Sequence, residues 1–305
     1  MVFLGSDRWS VPSLEAVAGS AHDVALVATR APKPAGRGSR LTPTAVADAA
    51  RALALPLAEV TTVRSGEGLD KLQAAHSDVL AVVAYGEILP AAVLELPSIG
   101  PVNLHFSLLP ELRGAAPVQH AILEGMSVTG VTTIRMDEGM DTGAILLHAE
   151  EPIDPDDDAG TLGKQLAGIG ARLLVDTIDR LVAGDLEPTP QDHSRATHAP
   201  RLTAADRWLD WIRPAEELVR RVRALAPAPA ASARFRGEVF KVFRAAAHQG
   251  VGEPGAVLLV ESETFLVACG ERALAPLEVA PAGRRRMTAA EFVRGYRPEV
   301  GERLS

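Results

Sequence analysis

Apolar residues in the first half of the chain fall into short runs, and their spacing predicts the elements. VFLG (2–5) is a brief run closed by a glycine, while VALVAT (24–29) and VLAVVAYG (79–86) are continuous and rich in β-branched residues. Continuous runs of this kind suit strands buried on both faces. Between them, VPSLEAV (11–17), Ala45 to Leu53 and Gly66 to Ala75 carry helical spacing. The alternation continues with a strand over Val102–Phe106, a helix over Pro117–Glu124, and strands over Gly130–Met136 and AILLHAEEPI (144–153). Leu162, Leu166, Ile169, Leu173, Ile178 and Leu181 then recur at helical spacing up to Gly184, which stands at a C-cap position. Strands alternating with helices predict βαβ units. Residues 1–185 are therefore expected to form an α/β domain: a doubly wound, mostly parallel, Rossmann-like sheet with right-handed crossovers and helices on both faces.

The periodicity then stops. Residues 186–206, LEPTPQDHSRATHAPRLTAAD, are rich in Pro, Thr, Asp and Ala, and predict an inter-domain linker stiffened by proline. From residue 207 the pattern is different. AEELVRRVRAL (215–225) is helical, and ASARFR, EVFKVFRAA, GAVLLV and TFLVAC are short strand candidates with Gly-bearing turns. Such strands suggest a small barrel over residues 207–305, with a closing helical turn near Ala289–Arg294. No repeat at a solenoid period is visible.

Composition narrows the classes. A chain of 305 residues has room for two domains, and 47% hydrophobic with 23% charged residues is an ordinary globular balance. Aromatics at 4% leave no broad platform for stacking many bases. The single cysteine, Cys269, excludes an internal disulfide and reads as a small buried hydrophobe; no Cys/His cluster has zinc spacing, so no metal is expected. The opening MVFLGSDRW is too briefly apolar for a signal segment, and no later run reaches membrane-spanning length, so a cytoplasmic protein without a membrane partner is expected. The net charge of −8 is unevenly spread: 17 basic against 13 acidic residues from Arg201 onward, +4, and 14 against 26 before it, −12. An acidic body with a basic tail is compatible with RNA contact at one end, and equally with ordinary solvated surfaces.

Two segments carry candidate chemistry. In NLHFSLLP (103–110), Asn103 and His105 lie two apart on a predicted strand and so share one face. An amide and an imidazole side by side suit an oxyanion, and the imidazole also exchanges protons near neutral pH. In DEGMDTG (137–143), glycines bracket Met140, Asp141 and Thr142 in a tight loop after a strand. A carboxylate there can orient His105 or accept a proton. A core histidine and an Asp-rich turn are the plainer alternatives, and spacing alone leaves both open.

NLHFSLLPELRGAAPVQHAILEG (103–125) and TGVTTIRMDEGMDTGAIL (129–146) together resemble the folate-dependent formyltransferases. That resemblance implies a 10-formyltetrahydrofolate donor and a catalytic trio of Asn103, His105 and Asp141. It implies folate contact from Ser107, Leu108, Leu109 and Pro110, from Asp137 and Glu138 of the turn, and from AYGEILP (84–90) through Tyr85, Gly86, Ile88 and Leu89. FLGSDRWSVPSLEAV (3–17) resembles the opening of the family members that act on methionyl-tRNA, although Ser6-Asp7-Arg8 departs from their frequent Thr-Pro pair. TRAPKPAGRGSRLTPTAV (29–46) is a basic Pro/Gly-rich loop carrying Lys33, Arg37 and Arg40 and no acid; it resembles the loop those members use on the acceptor arm, and a solvated loop is the alternative. RWLDWIRPAEELVRRVRAL (207–225) resembles the start of their C-terminal OB-like, tRNA-binding domain, which makes Arg220, Arg221, Arg223 and Arg284–Arg286 candidate phosphate contacts. The expected protein is a monomeric enzyme with initiator methionyl-tRNA and the folate donor as partners. The rivals are an amino-sugar nucleotide formyltransferase and an RNA-binding adaptor. A nicotinamide dehydrogenase lacks support, since no G-x-G-x-x-G follows the first strand.

Overall fold

The structure is a computed structural model that describes residues 1–35 and 40–305, with residues 35 and 40 described as backbone only. The chain divides into two compact units: Met1–Pro117, Val128–Pro152 and Gly163–Pro200 form the first, and Val118–Ser127, Ile153–Leu162 and Arg201–Ser305 the second.

In the first unit, β1 (Val2–Gly5) is fully buried, as its four apolar or small residues require, and leads through α1 (Val11–Ala18) to β2 (Leu26–Arg30). β3 (Lys33–Ala35) and β4 (Arg40–Thr42) pair as a short antiparallel hairpin. Then come α2 (Ala45–Ala52), β5 (Leu57–Val60), α3 (Gly66–Ala74), β6 (Val79–Val83), α4 (Ala91–Leu94) and β7 (Gly100–His105). α5 (Pro117–Leu123), β8 (Val128–Arg135), β9 (Ala144–Pro152) and the long α6 (Ala159–Ala183) complete the sequence of elements up to Gly184. The seven strands lie in the order β5-β2-β1-β6-β7-β8-β9. Pairing is parallel from β5 to β7 and antiparallel from β7 to β8 and from β8 to β9. The mostly parallel sheet is as expected; β8 alone runs against the other strands, which makes its pairings with β7 and β9 antiparallel where βαβ alternation alone predicts parallel ones.

The order reverses at β1, which has β2 on one side and β6 on the other. Beyond the carboxyl ends of strands at such a reversal lies the crevice where open α/β sheets take their ligands. Ser10 Oγ donates to Val83 O at 2.7 Å and ties the segment after β1 to the end of β6. Val2, Leu4, Leu80, Val82, Tyr85 and Leu89 belong to one buried cluster beneath this edge.

The expected linker over residues 186–206 is revised. Residues 186–200 belong to the first unit, and their backbone is hydrogen-bonded to it: Thr189 and Ile145 exchange bonds at 2.8 Å, Arg113 N donates to Thr197 O at 2.9 Å, and Ala199 N donates to Arg113 O at 2.7 Å. The stretch has no periodicity because it pairs as isolated bridges rather than as a regular strand.

The second unit is an antiparallel sheet with two flanking helices. α7 (Ala215–Leu225) buries Leu218, Val222 and Leu225 at helical spacing. β10 (Ala231–Phe235), β11 (Glu238–His248), β12 (Val257–Val260), β13 (Phe265–Ala268), β14 (Ala273–Pro281) and β15 (Met287–Thr288) follow, then α8 (Ala289–Tyr296) behind a capping box of Thr288 and Glu291. Five strands run β10-β11-β14-β13-β12, with β15 on β14. The final residues close this sheet. Ser305 exchanges backbone bonds with Arg234 in β10, while Leu304 N donates to Gly255 O, just before β12, at 2.8 Å. The result is the small OB-like barrel, with Phe240, Phe265, Phe292 and Cys269 in its core. Among the described residues no helix is long and apolar enough to cross a membrane.

Candidate active site

β7 delivers Asn103 and His105 to one face, and the turn after β8 brings Asp141 to them. Asn103 Nδ2 donates to Asp141 Oδ1 at 3.4 Å, and His105 Nδ1 lies 3.6 Å from the same oxygen. The backbone N–H of Gly114 donates to Asp141 Oδ2 at 2.9 Å. His105 is buried, and its Nε2 lies 3.0 Å from Leu112 O. A carbonyl only accepts, so Nε2 carries a proton and Nδ1 is the nitrogen turned to the carboxylate. Asp141 Oδ1 thus marks a place where an oxygen sits between the amide and the imidazole. The two contacts are long, as catalytic hydrogen bonds often are before substrate tightens them. The pair was expected to face a substrate oxygen; the oxygen it meets here belongs to Asp141.

The expected folate segments follow β6, β7 and β8. After β6 the chain alternates: Tyr85 and Leu89 are buried, and Ala84, Gly86 and Ile88 are exposed. Gly86 has φ +81, a conformation that glycine adopts without strain, and it leaves backbone open beside an Ile88 side chain that is 58% exposed. Burial first, and the Glu87 charge second, push the Tyr85 phenol up to about 12. Glu87 accepts from Thr62 Oγ1 at 2.5 Å and Val63 N at 3.2 Å, and pairs with Arg30 at 3.8 Å. Ser107 and Leu109 are buried and serve the loop itself: Ser107 Oγ donates to Glu111 O at 2.6 Å, and Leu109 N donates to Thr132 Oγ1 at 3.1 Å. Leu108 and Pro110 keep partial exposure. Asp137 Oδ1 accepts from Gly139 N at 3.0 Å and Thr142 Oγ1 at 2.7 Å, so it holds the turn that carries Asp141; Glu138 is exposed. Met136, one residue earlier, packs against the cluster that contains Tyr85 and Leu89.

Of the basic candidates, Lys33 is exposed on β3. Arg37 lies outside the described residues, and so does the side chain of Arg40 on β4. Each α7 arginine spends part of its guanidinium on backbone carbonyls. Arg220 Nε donates to Leu123 O at 3.0 Å, Arg221 Nη1 to Asp206 O at 2.6 Å, and Arg223 to Asp157 O at 2.7 Å and Asp154 O at 2.8 Å. Burial pulls the Arg223 guanidinium below its usual value, while the carboxylates of Asp154 and Asp156–Asp158 act the other way. Arg285 pairs with Glu291 at 3.2 Å, and Arg286 pairs with Glu278. Among the described residues, no group of His, Cys, Asp and Glu is placed to hold a metal ion.

Residues 1–178 match the family model described as formyl transferase, and residues 201–297 match the one described as formyl transferase, C-terminal domain. The chain belongs to the formyl transferase family. Methionyl-tRNA formyltransferase of Koribacter versatilis (strain Ellin345) is 44% identical over 100% of this chain and 98% of its own, and that of Symbiobacterium thermophilum is 43% identical over 100% and 95%. An N-formyltransferase from Helicobacter canadensis, solved with folinic acid and dTDP-3-aminofucose, superposes with a TM-score of 0.66 at 16% identity over 94% of this chain and 98% of that one, a likeness of fold alone.

Three residues of this formyl transferase that support the trio escape a reading of sequence. Thr132, opposite His105 on β8, donates to Ser107 O at 2.7 Å and accepts from Leu109 N. Arg113 is buried and reaches Gln191, and Gln191 in turn reaches the Asp141 turn. The Arg-Gly pair at 113–114 stands in the family-like stretch, but nothing in the composition around Gln191 distinguishes it from a linker glutamine.

Proposed function

We propose that this chain transfers the formyl group of 10-formyltetrahydrofolate to the α-amine of initiator methionyl-tRNA, acting in the cytoplasm as a monomer and giving N-formylmethionyl-tRNA for translation initiation. The observation that carries this is the convergence of Asn103 and His105 of β7 with Asp141, in a chain that aligns end to end with relatives named for that reaction. The amine nitrogen attacks the formyl carbon, and Asn103 and His105 stabilise the oxyanion of the tetrahedral intermediate. Asp141 accepts the proton leaving the attacking nitrogen, and N10 receives one as its bond to the formyl carbon breaks, releasing tetrahydrofolate. Gly86, Ile88 and the partly exposed Leu108 and Pro110 supply backbone and apolar surface for a flat heterocycle. Tyr85, Leu89, Ser107, Leu109 and Asp137 shape that surface from behind. Lys33, Arg37 and Arg40 are placed in sequence to meet acceptor-arm phosphates. Arg220, Arg221 and Arg223 help hold the second unit together through bonds to carbonyls, and their remaining guanidinium donors are left for phosphate contact.

The test is formyl transfer to charged initiator tRNA with a UDP-amino sugar as competing acceptor. Asn103→Ala and His105→Ala are each expected to lower turnover about 10²–10³-fold with far-UV dichroism unchanged. Turnover near that of the parent in both variants, or preference for the sugar nucleotide, would refute the proposal.

A further inference from the structure

We propose that Gln191 is a positioning residue for formyl transfer: its side-chain amide fixes the turn that carries Asp141. Its Nε2 has two hydrogens, and both are used on that turn, one donated to Asp141 O at 2.9 Å and one to Gly143 O at 2.7 Å. Its Oε1 accepts from Arg113 Nε at 3.1 Å and Arg113 Nη2 at 2.5 Å. Gln191 is 6% exposed and Arg113 5%, so a side-chain amide has all four of its hydrogen-bonding positions satisfied inside the protein. An amide so held cannot turn without leaving buried donors and acceptors unmet.

The turn needs such a clamp. Asp141 has φ +56, a left-handed conformation less favourable than the extended or helical one for a side chain other than glycine, though Asp tolerates it better than most. Asp137 grips the turn at Gly139 N and Thr142 Oγ1, and Gln191 grips it at the carbonyls on either side of Thr142. The aim of the Asp141 carboxylate at Asn103 and His105 follows from these bonds.

The stretch that carries Gln191 also reaches His105. Thr197 Oγ1 accepts from Leu112 N at 2.8 Å, and Leu112 O is the partner of His105 Nε2. Arg113 Nη2 lies 3.1 Å from His193 Nδ1, within the same stretch. Residues 189–199 therefore form a strap that supports the trio at both ends, and Gln191 is its contact with the backbone of the turn that carries Asp141.

This inference rests on the assignment of Asp141 to the transfer step, and the experiment separates the two. Full-length Gln191→Glu, Asp141→Ala and the double variant are assayed with charged initiator tRNA and 10-formyltetrahydrofolate. Gln191→Glu keeps an acceptor for Arg113 but removes both donors to the turn. We expect its kcat to fall about 10–100-fold, as a misplacement of about 1 Å does, with KM for either substrate within about twofold of the parent. In the Asp141→Ala background the same change should alter kcat by less than about twofold, because Gln191 acts through Asp141. Where Gln191→Glu does not fold, Gln191→Met, of similar length and without donors, replaces it with the same expectation. Parent-like turnover of the single Gln191 variant beside an impaired Asp141→Ala overturns the inference, as does a full multiplicative loss in the double variant. Parent-like turnover of Asp141→Ala overturns the assignment of Asp141 and the inference with it.

Discussion

Gly114→Ala measures how closely the strap approaches the site. Gly114 has φ +122, outside the regions open to side chains, and a methyl built there would lie 2.6 Å from Ala199 O and 3.2 Å from Ala199 C. Both are backbone atoms of the strap, so no rotamer change relieves the contact. Strain at such a backbone position costs about 1–3 kcal/mol, and overpacking a close contact costs a further ~1–3 kcal/mol. A mid-range of about 4 kcal/mol converts, at roughly 3 °C per kcal/mol for a unit of this size, to a fall in Tm near ~12 °C. Any shift that relieves the contact also disturbs the bonds Gly114 N donates to Asp141 Oδ2 and Ala116 N donates to Ala199 O, so turnover should drop as well. Gly184→Ala is the reference: Gly184 has φ +75 at the end of α6 with nothing within 4 Å of the added methyl, and it should cost only about 1 kcal/mol of backbone strain. The assay is thermal unfolding by calorimetry, following the transition of the first unit, with formylation rates measured in parallel. Equal Tm shifts for the two variants would refute the close approach of Ala199.

Three further predictions concern basic side chains and the buried thiol and phenol. Arg223→Ala should destabilise by about 2–3 kcal/mol, as expected for hydrogen bonds from a charged donor, without changing the salt dependence of tRNA binding; Lys33→Ala should leave Tm alone and reduce the salt slope by about 1. Burial pushes the Cys269 thiol up to about 11, so a thiol reagent at pH 8 should react with the unfolded chain and spare the folded one. Cys269 and Tyr85, at about 12, are both raised above their unfolded values of 9.0 and 10.0. Their contribution is complete below those values and is lost as pH rises through the folded ones, so the denaturant midpoint should decline between about pH 9 and 12. A flat or rising midpoint would contradict that burial.

Hydrophobic pattern made the central strands legible because VLAVVAYG has no polar position to spare for solvent, and the period of two set Asn103 and His105 on one face. Pattern carries no strand direction, so β8, which runs against its neighbours, reads like a further member of the parallel set. Asp141 could be matched to the trio only through family-like residues, since the contact spans 38 positions. The α7 arginines looked like a charged face because their carbonyl partners, at Leu123, Asp154, Asp157 and Asp206, are scattered along the chain. Residues 186–200 looked like a linker because prolines and threonines pairing through isolated bridges leave no period to detect. The OB-like barrel depends on residues 303–305 closing the sheet, a contact that strand propensity does not encode.

The strap bears on how this protein can be cut and joined. A fragment ending at residue 185 would contain Asn103, His105 and Asp141 but would lack Thr189, Gln191 and Thr197, so it would keep these three side chains and lose the hydrogen bonds that mount them. Any chimera that exchanges the C-terminal barrel for another domain should place its junction after Pro200, where the first unit ends. Even there, residues 118–127 and 153–162 travel with the first part of the chain while clustering with the second unit. The two units are thus not successive beads on the polypeptide. Recombination between formyl transferases would preserve activity most readily where it exchanges whole chains or surface loops, and least where it splices at the apparent domain boundary.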